Sequence, residues 1–382
     1  MKKVVYLDLH VIQSVPPSCL NRDDTGSPKT AIYGGARRAR VSSQAWKRAM
    51  RRMFCDYLDM TELGINTKYL NNMIANEIIK LKPDTSEDSA KEMAQKIIKE
   101  IPEKSNAKNE SKTSVKNKDK DKNKAKDDSK AIIEDKVKTL FYIGRQQAKN
   151  LAKYALDQCD SELEKNEIID RLNKDKPIDM ALFGRMVADN HLLCSDACAQ
   201  VAHAISTHRV ENEYDFFTAI DDLAPDDNKG AAMLDSIEYC SATLYRYATV
   251  AACRLYDELG EQREALIRAV REFTRAFIFS IPTGKQNTFA AQTIPDSVMV
   301  AIRTDRPINL VGAFEKPVHG EGLVQPSIIA LENYTQTIYS NFCSPSYKTY
   351  IVGNYLSKIG ERLTAEQLIE TIGDNVAEAV II

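Results

Sequence analysis

Residues 31–55, AIYGGARRARVSSQAWKRAMRRMFC, pass from strand to helix within a few positions. Arg38–Val41 reads as a short strand, and Ser42 or Ser43 supplies the hydroxyl that caps a helix opening near Gln44. Beyond it Trp46, Ala49, Met50, Met53, Phe54 and Tyr57 recur at i, i+3, i+4, i+7, i+8 and i+11, one apolar helix face. Trp46, the only tryptophan, belongs to that core face. The wider stretch Thr25–Cys55 holds Lys29, Arg37, Arg38, Arg40, Lys47, Arg48, Arg51 and Arg52 and not one acidic residue. Lys47 and Arg51 are four apart, as are Arg48 and Arg52, and both pairs lie away from the Trp46 face. A solvated helix face ordinarily mixes signs. Here the cations follow a helix N-terminus whose free N–H groups, with Ser42, Ser43 and Gln44, suit a phosphate. Cations one turn later suit the next phosphates of a strand, so the pattern favours nucleic-acid backbone binding.

Upstream, Val4–Ile12 is almost continuously apolar and reads as a central strand, ended by the loop PPSCLNRDDTGSP. Downstream, 61–100 and 132–172 read as amphipathic helices. Between them EKSNAKNESKTSVKNKDKDKNKAKDDSKA (103–131) has no aromatic residue and cannot offset chain entropy by burial, so 103–130 is expected to be a disordered insertion. Val201–Val210 reads as a strand, followed by an Asp- and Gly-rich loop excursion, NEYDFFTAIDDLAPDDNKGAAML. Tyr239–Val250 resumes a strand, Leu266–Phe277 marks an amphipathic helix, and Val298–Ile302 a further strand. Thr364-x-x-Gln367 is a capping box for a short terminal helix. Strands and helices alternate without regular βαβ units, which favours α+β.

Composition bounds the function classes. The chain has 382 residues, 52 Lys+Arg against 54 Asp+Glu, a formal net charge of −2 and 43% hydrophobic residues. That is enough for a sizeable core, while the balanced charge conceals the basic stretch. No run of about 18 apolar residues is present, which excludes a spanning helix. The eight cysteines are scattered, so reduced thiols in the cytoplasm are expected. His191, Cys194, Cys198 and His203 form a two-Cys, two-His set, but no CxxC pair stands among them and buried packing is favoured over zinc.

Three further groups carry chemistry. Phe216 and Phe217 form an aromatic pair in the acidic excursion, suited either to stacking on bases or to packing beneath the loop. GKQNT (284–288) is similar to the end of a phosphate loop, but Phe279 stands where the upstream glycine is required, so an NTPase is rejected. Lys285 and Gln286 remain candidates for backbone contact. The Asp pairs 23–24 and 221–222 fit a divalent cation for phosphodiester cleavage or, more ordinarily, turns. Catalysis is the minority reading, with no metal and no cofactor expected.

PPSCLNRDD (16–24), AIYGGARRARVSSQAWKRAMR (31–51), DMALFGRM (179–186), AHAISTH (202–208), YRYA (245–248), GKQNTFAA (284–291) and LVQPSI (323–328) together resemble the CasC family. That family supplies the backbone subunit of the type I-E CRISPR Cascade complex. The resemblance departs in the Lys/Asp-rich insertion and weakens over the last forty or so residues. It implies an RRM-like (ferredoxin-like) palm over 1–60 and 197–382, a helical fingers insertion over 61–196, and a protruding thumb at about 210–240. It implies a non-enzyme that polymerises head-to-tail along CRISPR RNA in the cytoplasm and presents the guide to a target DNA strand. Further partners would be the large, small, 5′-handle-binding and repeat-processing endoribonuclease subunits of Cascade. By position, Arg22, Ser42, Gln44, Lys47 and Arg51 match guide-backbone contacts. Phe216, Phe217 and Ile220 match the thumb around a displaced base, and Met186 and Leu234 match apolar residues that wedge at the kink. The alternative is an endoribonuclease that cuts guide-complementary RNA through Asp23 or Asp24, as related type III backbone subunits do.

Overall fold

The structure is a computed structural model that describes residues 4–101, 140–158, 161–187, 190–219, 233–353, 356 and 358–381. The insertion 103–130, Ile220 and Asp221–Asp222 therefore lie outside the described residues. In chain order the first elements are β1 (Tyr6–Ser18), β2 (Thr30–Tyr33), β3 (Ala36–Val41) and α1 (Ser43–Tyr57). Then come β4 (Gly64–Thr67), α2 (Leu70–Leu81), α3 (Glu87–Glu100), β5 (Phe141–Gly144), α4 (Arg145–Asp157), α5 (Lys165–Asn173) and α6 (Ile178–Phe183). The third group is β6 (Ala199–Val201), β7 (Ala204–Ser206), β8 (Glu213–Ala219), β9 (Met233–Ala251), α7 (Ala252–Glu258) and α8 (Arg263–Phe279). Last are α9 (Gln286–Phe289), β10 (Ser297–Arg303), α10 (Val324–Phe342), β11 (Lys348–Gly353), β12 (Glu361–Arg362) and α11 (Ala365–Ile381).

The chain divides into two units, one of residues 1–63, 178–184 and 196–382, the other of 64–177 and 185–195. In the first, β1 is the central strand, paired antiparallel with β9 on one side and β10 on the other. The order β10–β1–β9–β7, with α1 leading from β1 towards β7 and α8 from β9 to β10, is the split βαβ arrangement of RRM-like folds. Leu7, Leu9 and Val11 enter a core shared with Trp46, Phe54, Phe273, Phe277 and Val376. Ile12 faces the other way, with Tyr245, Tyr247 and Met299, and is covered by Leu310, Phe314, Ile328 and Leu331. Both faces of β1 are buried, which is why its sequence is a continuous apolar run rather than an alternating one.

Several local expectations are corrected. β1 does not stop at Ile12 but runs to Ser18, with its register to β9 irregular between Val15 and Ser18. Pro16 and Pro17 fall at that irregularity, where a missing N–H is tolerated. The strand expected over 201–210 is two three-residue strands, both paired to β9. The excursion after it begins as β8, paired residue by residue to the start of β9. The helix after the Thr364/Gln367 capping box is not short, spanning 17 residues, and both box hydrogen bonds are present (3.0 and 3.2 Å). Gly34 and Gly35, both at positive φ, turn β2 into β3, and a side chain on Gly34 would strike the Glu315 carbonyl.

The second unit packs α2–α5 around Leu70, Ile74, Ile78, Ile97, Leu151 and Leu172, with β4 and β5 as a small antiparallel pair. Buried Gln147 latches it: its Oε1 accepts from Gly144 N (2.9 Å) and its Nε2 donates to Leu172 O (2.6 Å). α6 belongs with the first unit, because Ala181 and Leu182 are buried in the α1 core. The 191–198 segment is not helical: His191–Leu193 is a single 3₁₀ turn and Cys194 follows it extended. The Cys194 thiol instead bridges to Val187 N (3.4 Å) and O (3.5 Å), and His203 meets Arg40. Among the described residues no group of His, Cys, Asp and Glu is placed to hold a metal ion, and no helix is long and apolar enough to cross a membrane.

Candidate nucleic-acid interface

Ser42 is the cap of α1, its Oγ accepting from Ala45 N (3.3 Å), while its own N–H donates to Asn21 Oδ1 (2.9 Å). That second bond ties the loop after β1 to the helix start. Ser43 is the first helical residue. Trp46, Ala49, Met50 and Phe54 are buried, Met53 is half-buried and Tyr57 exposed. Trp46 is held flat by the Arg246 guanidinium, 3.8 Å from its ring centroid. Arg246 is fully buried, donates to Gln13 Oε1 (2.6 Å) and to Phe277 O, and is pushed down to about 9 by burial. A charge is thus kept beneath the helix, where stacking on Trp46 and Phe277 offsets its lost hydration.

With the apolar face so fixed, the polar arc of α1 has two margins. On one, Gln44, Arg48 and Arg52 are exposed and line a cleft of about 890 Å³. On the other, Lys47 and Arg51 are half-buried: the Lys47 ammonium lies 5.8 Å from the Phe183 ring, and Arg51 Nε donates to buried Asp179 at 3.2 Å. Burial holds Lys47 below the usual lysine range.

The cleft brings Arg22, Lys29, Arg48, Arg52 and Lys285 together against Asp23 and Asp24. Its far wall is the 282–285 loop, which packs so closely that a side chain on Gly284 would sit 2.2 Å from Leu20 O. Gln286 does not point outward. Its Nε2 donates to Pro282 O at 3.2 Å and so braces the loop that presents Lys285, itself in the left-handed region (φ 48°). Asp23 is a turn-former: Oδ1 accepts from Thr25 N (3.0 Å), Thr25 Oγ1 (2.7 Å) and Ser27 N (3.0 Å). The Thr25 hydroxyl foremost holds its carboxyl below the usual range.

Two arginines of the basic stretch serve the fold. Arg38 is buried and straps β3 to Ser206 O (3.1 Å) and Phe314 O (2.8 Å). Arg40, beside the cleft, bonds Thr30 O (3.2 Å) and shares a 3.2 Å contact with His203 Nδ1. The sheet face on which RRM aromatics usually stack bases is closed: Tyr245 and Tyr247 lie beneath Leu310 and Phe314. Nucleic acid must therefore be met at the end of the sheet, where the cleft lies.

The β8/β9 ribbon separates what sequence had joined. Phe216 and Phe217 point to opposite faces because strand side chains alternate. Phe216 lies opposite Ser236 and Phe217 opposite Asp235. Tyr214, Phe216 and Leu234 share one face and are 67%, 66% and 62% exposed. Glu213, Asp215 and Asp235 share the other face with half-buried Phe217. Tyr214 escaped the sequence reading, although its i, i+2 spacing from Phe216 is the signal that finds it.

In the second unit Met186 is 88% exposed. It had no outward signal in sequence, and its neighbour Arg185 explains the exposure. Arg185 is buried, donates from Nε to Leu193 O (2.8 Å) and from a terminal nitrogen to Asn173 Oδ1 (3.0 Å), and bridges backbone to Ser195. One arginine turned in leaves the next side chain turned out.

An RRM-like sheet closed on both faces, with an electropositive cleft walled by its first helix, defines the class of α+β protein to which this chain belongs. The chain is a member of the CT1975-like protein family, whose family model matches residues 7–377. It is also similar to chains of two solved structures, each described as a CRISPR RNA-guided surveillance complex. One, described as pre-nicking, is 31% identical with a TM-score of 0.79, over 98% of this chain and 100% of that one. The other is 27% identical with a TM-score of 0.68, over 97% and 99%. No curated protein matches the chain. These findings agree with the CRISPR surveillance resemblance read from the sequence motifs.

Proposed function

We propose that this chain is a non-catalytic backbone subunit of a type I-E CRISPR surveillance complex, which polymerises along CRISPR RNA and presents it to a target DNA strand. The observation that carries the reading is the cleft itself, where five cations on four separate segments converge beside the capped start of α1. Phosphates of one RNA strand fit there without any reading of bases, since the sheet face is sealed. The exposed Phe216, Leu234 and Met186 supply apolar contacts to bases, as a wedge that unstacks a strand does. Asp23, engaged in its own turn, supports a scaffold rather than a nuclease. Copies of the chain, the guide and the other Cascade subunits are the partners of this reading.

The test is co-purification. Arg48→Glu with Arg52→Glu, and separately Lys47→Glu with Arg51→Glu, are expected to strip RNA from the purified protein and to disperse its assemblies. Unchanged RNA content in both would refute the proposal. Periodic divalent-dependent cuts in guide-complementary RNA, lost in Asp23→Ala, would establish the endoribonuclease instead.

A further inference from the structure

A second cleft of about 550 Å³ lies between β3 and the base of β8, and it shares Asp23 with the cleft beside α1. Arg37, Arg209 and Tyr214 line it, together with Glu211 and Glu238. By count of charges it is no phosphate site. The carboxylates, however, are already engaged. Asp23 takes the Thr25 and Ser27 hydrogen bonds, Glu211 pairs with Arg209 (3.2 Å), and Glu238 accepts from Asn212 (2.8 Å). Arg37 is exposed and is left as the cation without a carboxylate partner among the described residues. Its backbone is fixed by Val210 N donating to Arg37 O at 3.0 Å, so its origin on the cleft wall is rigid.

Tyr214 is the other uncommitted group. It is two-thirds exposed on a two-stranded ribbon, continues the face that carries Phe216 and Leu234, and fills no core. An aromatic ring left in solvent beside a spare guanidinium matches what a single-stranded nucleotide requires: a face for the base and a charge for the phosphate.

We infer that this second cleft is a further nucleotide subsite, in which Tyr214 stacks on a base and Arg37 contacts the phosphate of the strand held beside α1. The inference rests on the proposed function and lengthens the RNA path from the first cleft to the ribbon. The second cleft is read by stacking, so it accepts any base.

The test compares variants of the full chain binding a single-stranded oligoribonucleotide across a salt series. Tyr214→Ala is expected to weaken binding roughly fivefold to a hundredfold, and Tyr214→Phe to keep it. Arg37→Ala is expected to reduce the salt slope by about 0.7, one phosphate of a single strand. Arg48→Glu with Arg52→Glu serves as the control for the underlying reading: if that variant binds RNA normally, the proposed function itself fails. If it loses RNA while Tyr214→Ala and Arg37→Ala bind with unchanged affinity and slope, the subsite is refuted and the proposed function stands. A loss confined to complementary DNA added to preformed protein–RNA complex would also overturn the inference, moving these residues to the target strand. So would a smaller assembly mass with an unchanged salt slope, which would make the cleft a contact between copies.

Discussion

The cleft beside α1 and the β8/β9 ribbon both offer groups to a strand, yet they are built on opposite terms. In the cleft every cation stands on backbone anchored by burial beneath it: Trp46, Met50 and Phe54 fix α1, and Gly284 seats the facing loop on Leu20. On the ribbon the large apolar groups are themselves the exposed part, with little beneath Tyr214, Phe216 and Leu234. A two-stranded ribbon of this kind is marginal alone and gains order from what it meets. The contrast teaches that charge is delivered preformed, whereas apolar contact is completed on assembly.

The largest effect that separates the two regions is expected from Arg48→Glu with Arg52→Glu. RNA affinity should fall at least about a hundredfold at moderate salt, since each lost phosphate contact also steepens competition by counterions. Filter binding at two salt concentrations measures it, and a loss below about threefold would break the contrast.

Next in size is the ribbon. Phe216→Ala should lower the fluorescence change of 2-aminopurine at the displaced position by most of its amplitude, and affinity about tenfold. Phe217→Ala should leave affinity within about twofold, because its ring faces Asp215 and Asp235 rather than Leu234. Equal effects of the two would mean that the ribbon twists on binding.

Stability sharpens the comparison further. Arg51→Ala removes a charge partner of buried Asp179 and should cost roughly 1–3 kcal/mol in urea denaturation. Arg52→Ala, at the exposed margin, should cost no more than about 0.5 kcal/mol. The smallest expected effect is that of Gly284→Ala. Its new methyl meets the Leu20 carbonyl, shifts Lys285 outward, and should weaken RNA binding only about twofold to fivefold, the share of one displaced cation.

What could be read in the sequence follows from period. α1 was legible because six apolar residues at helical spacing and eight cations without an acid say the same thing about orientation. The split βαβ frame was legible from its motifs rather than from periodicity, since β1, buried on both faces, shows no alternation. The ribbon was not, because its acidic residues read as loop and only pairing with β9 makes Phe216 and Phe217 diverge. Arg38 looked like one more member of the basic stretch. Only Phe314, far along the chain, covers it and turns it into a strap. Arg185 is the same case, since Leu193 and Asn173 must be in place before it has anything to hold. Long side chains with several donors are where a local reading fails, because their partners are chosen by the fold.

The lid over Tyr245 and Tyr247 has one more consequence. A surface that once tells bases apart would favour some strands over others, and a carrier with preferences restricts what it can carry. By sealing that surface under Leu310 and Phe314, the chain gives up discrimination and becomes interchangeable cargo space, equally ready for any message of the right shape.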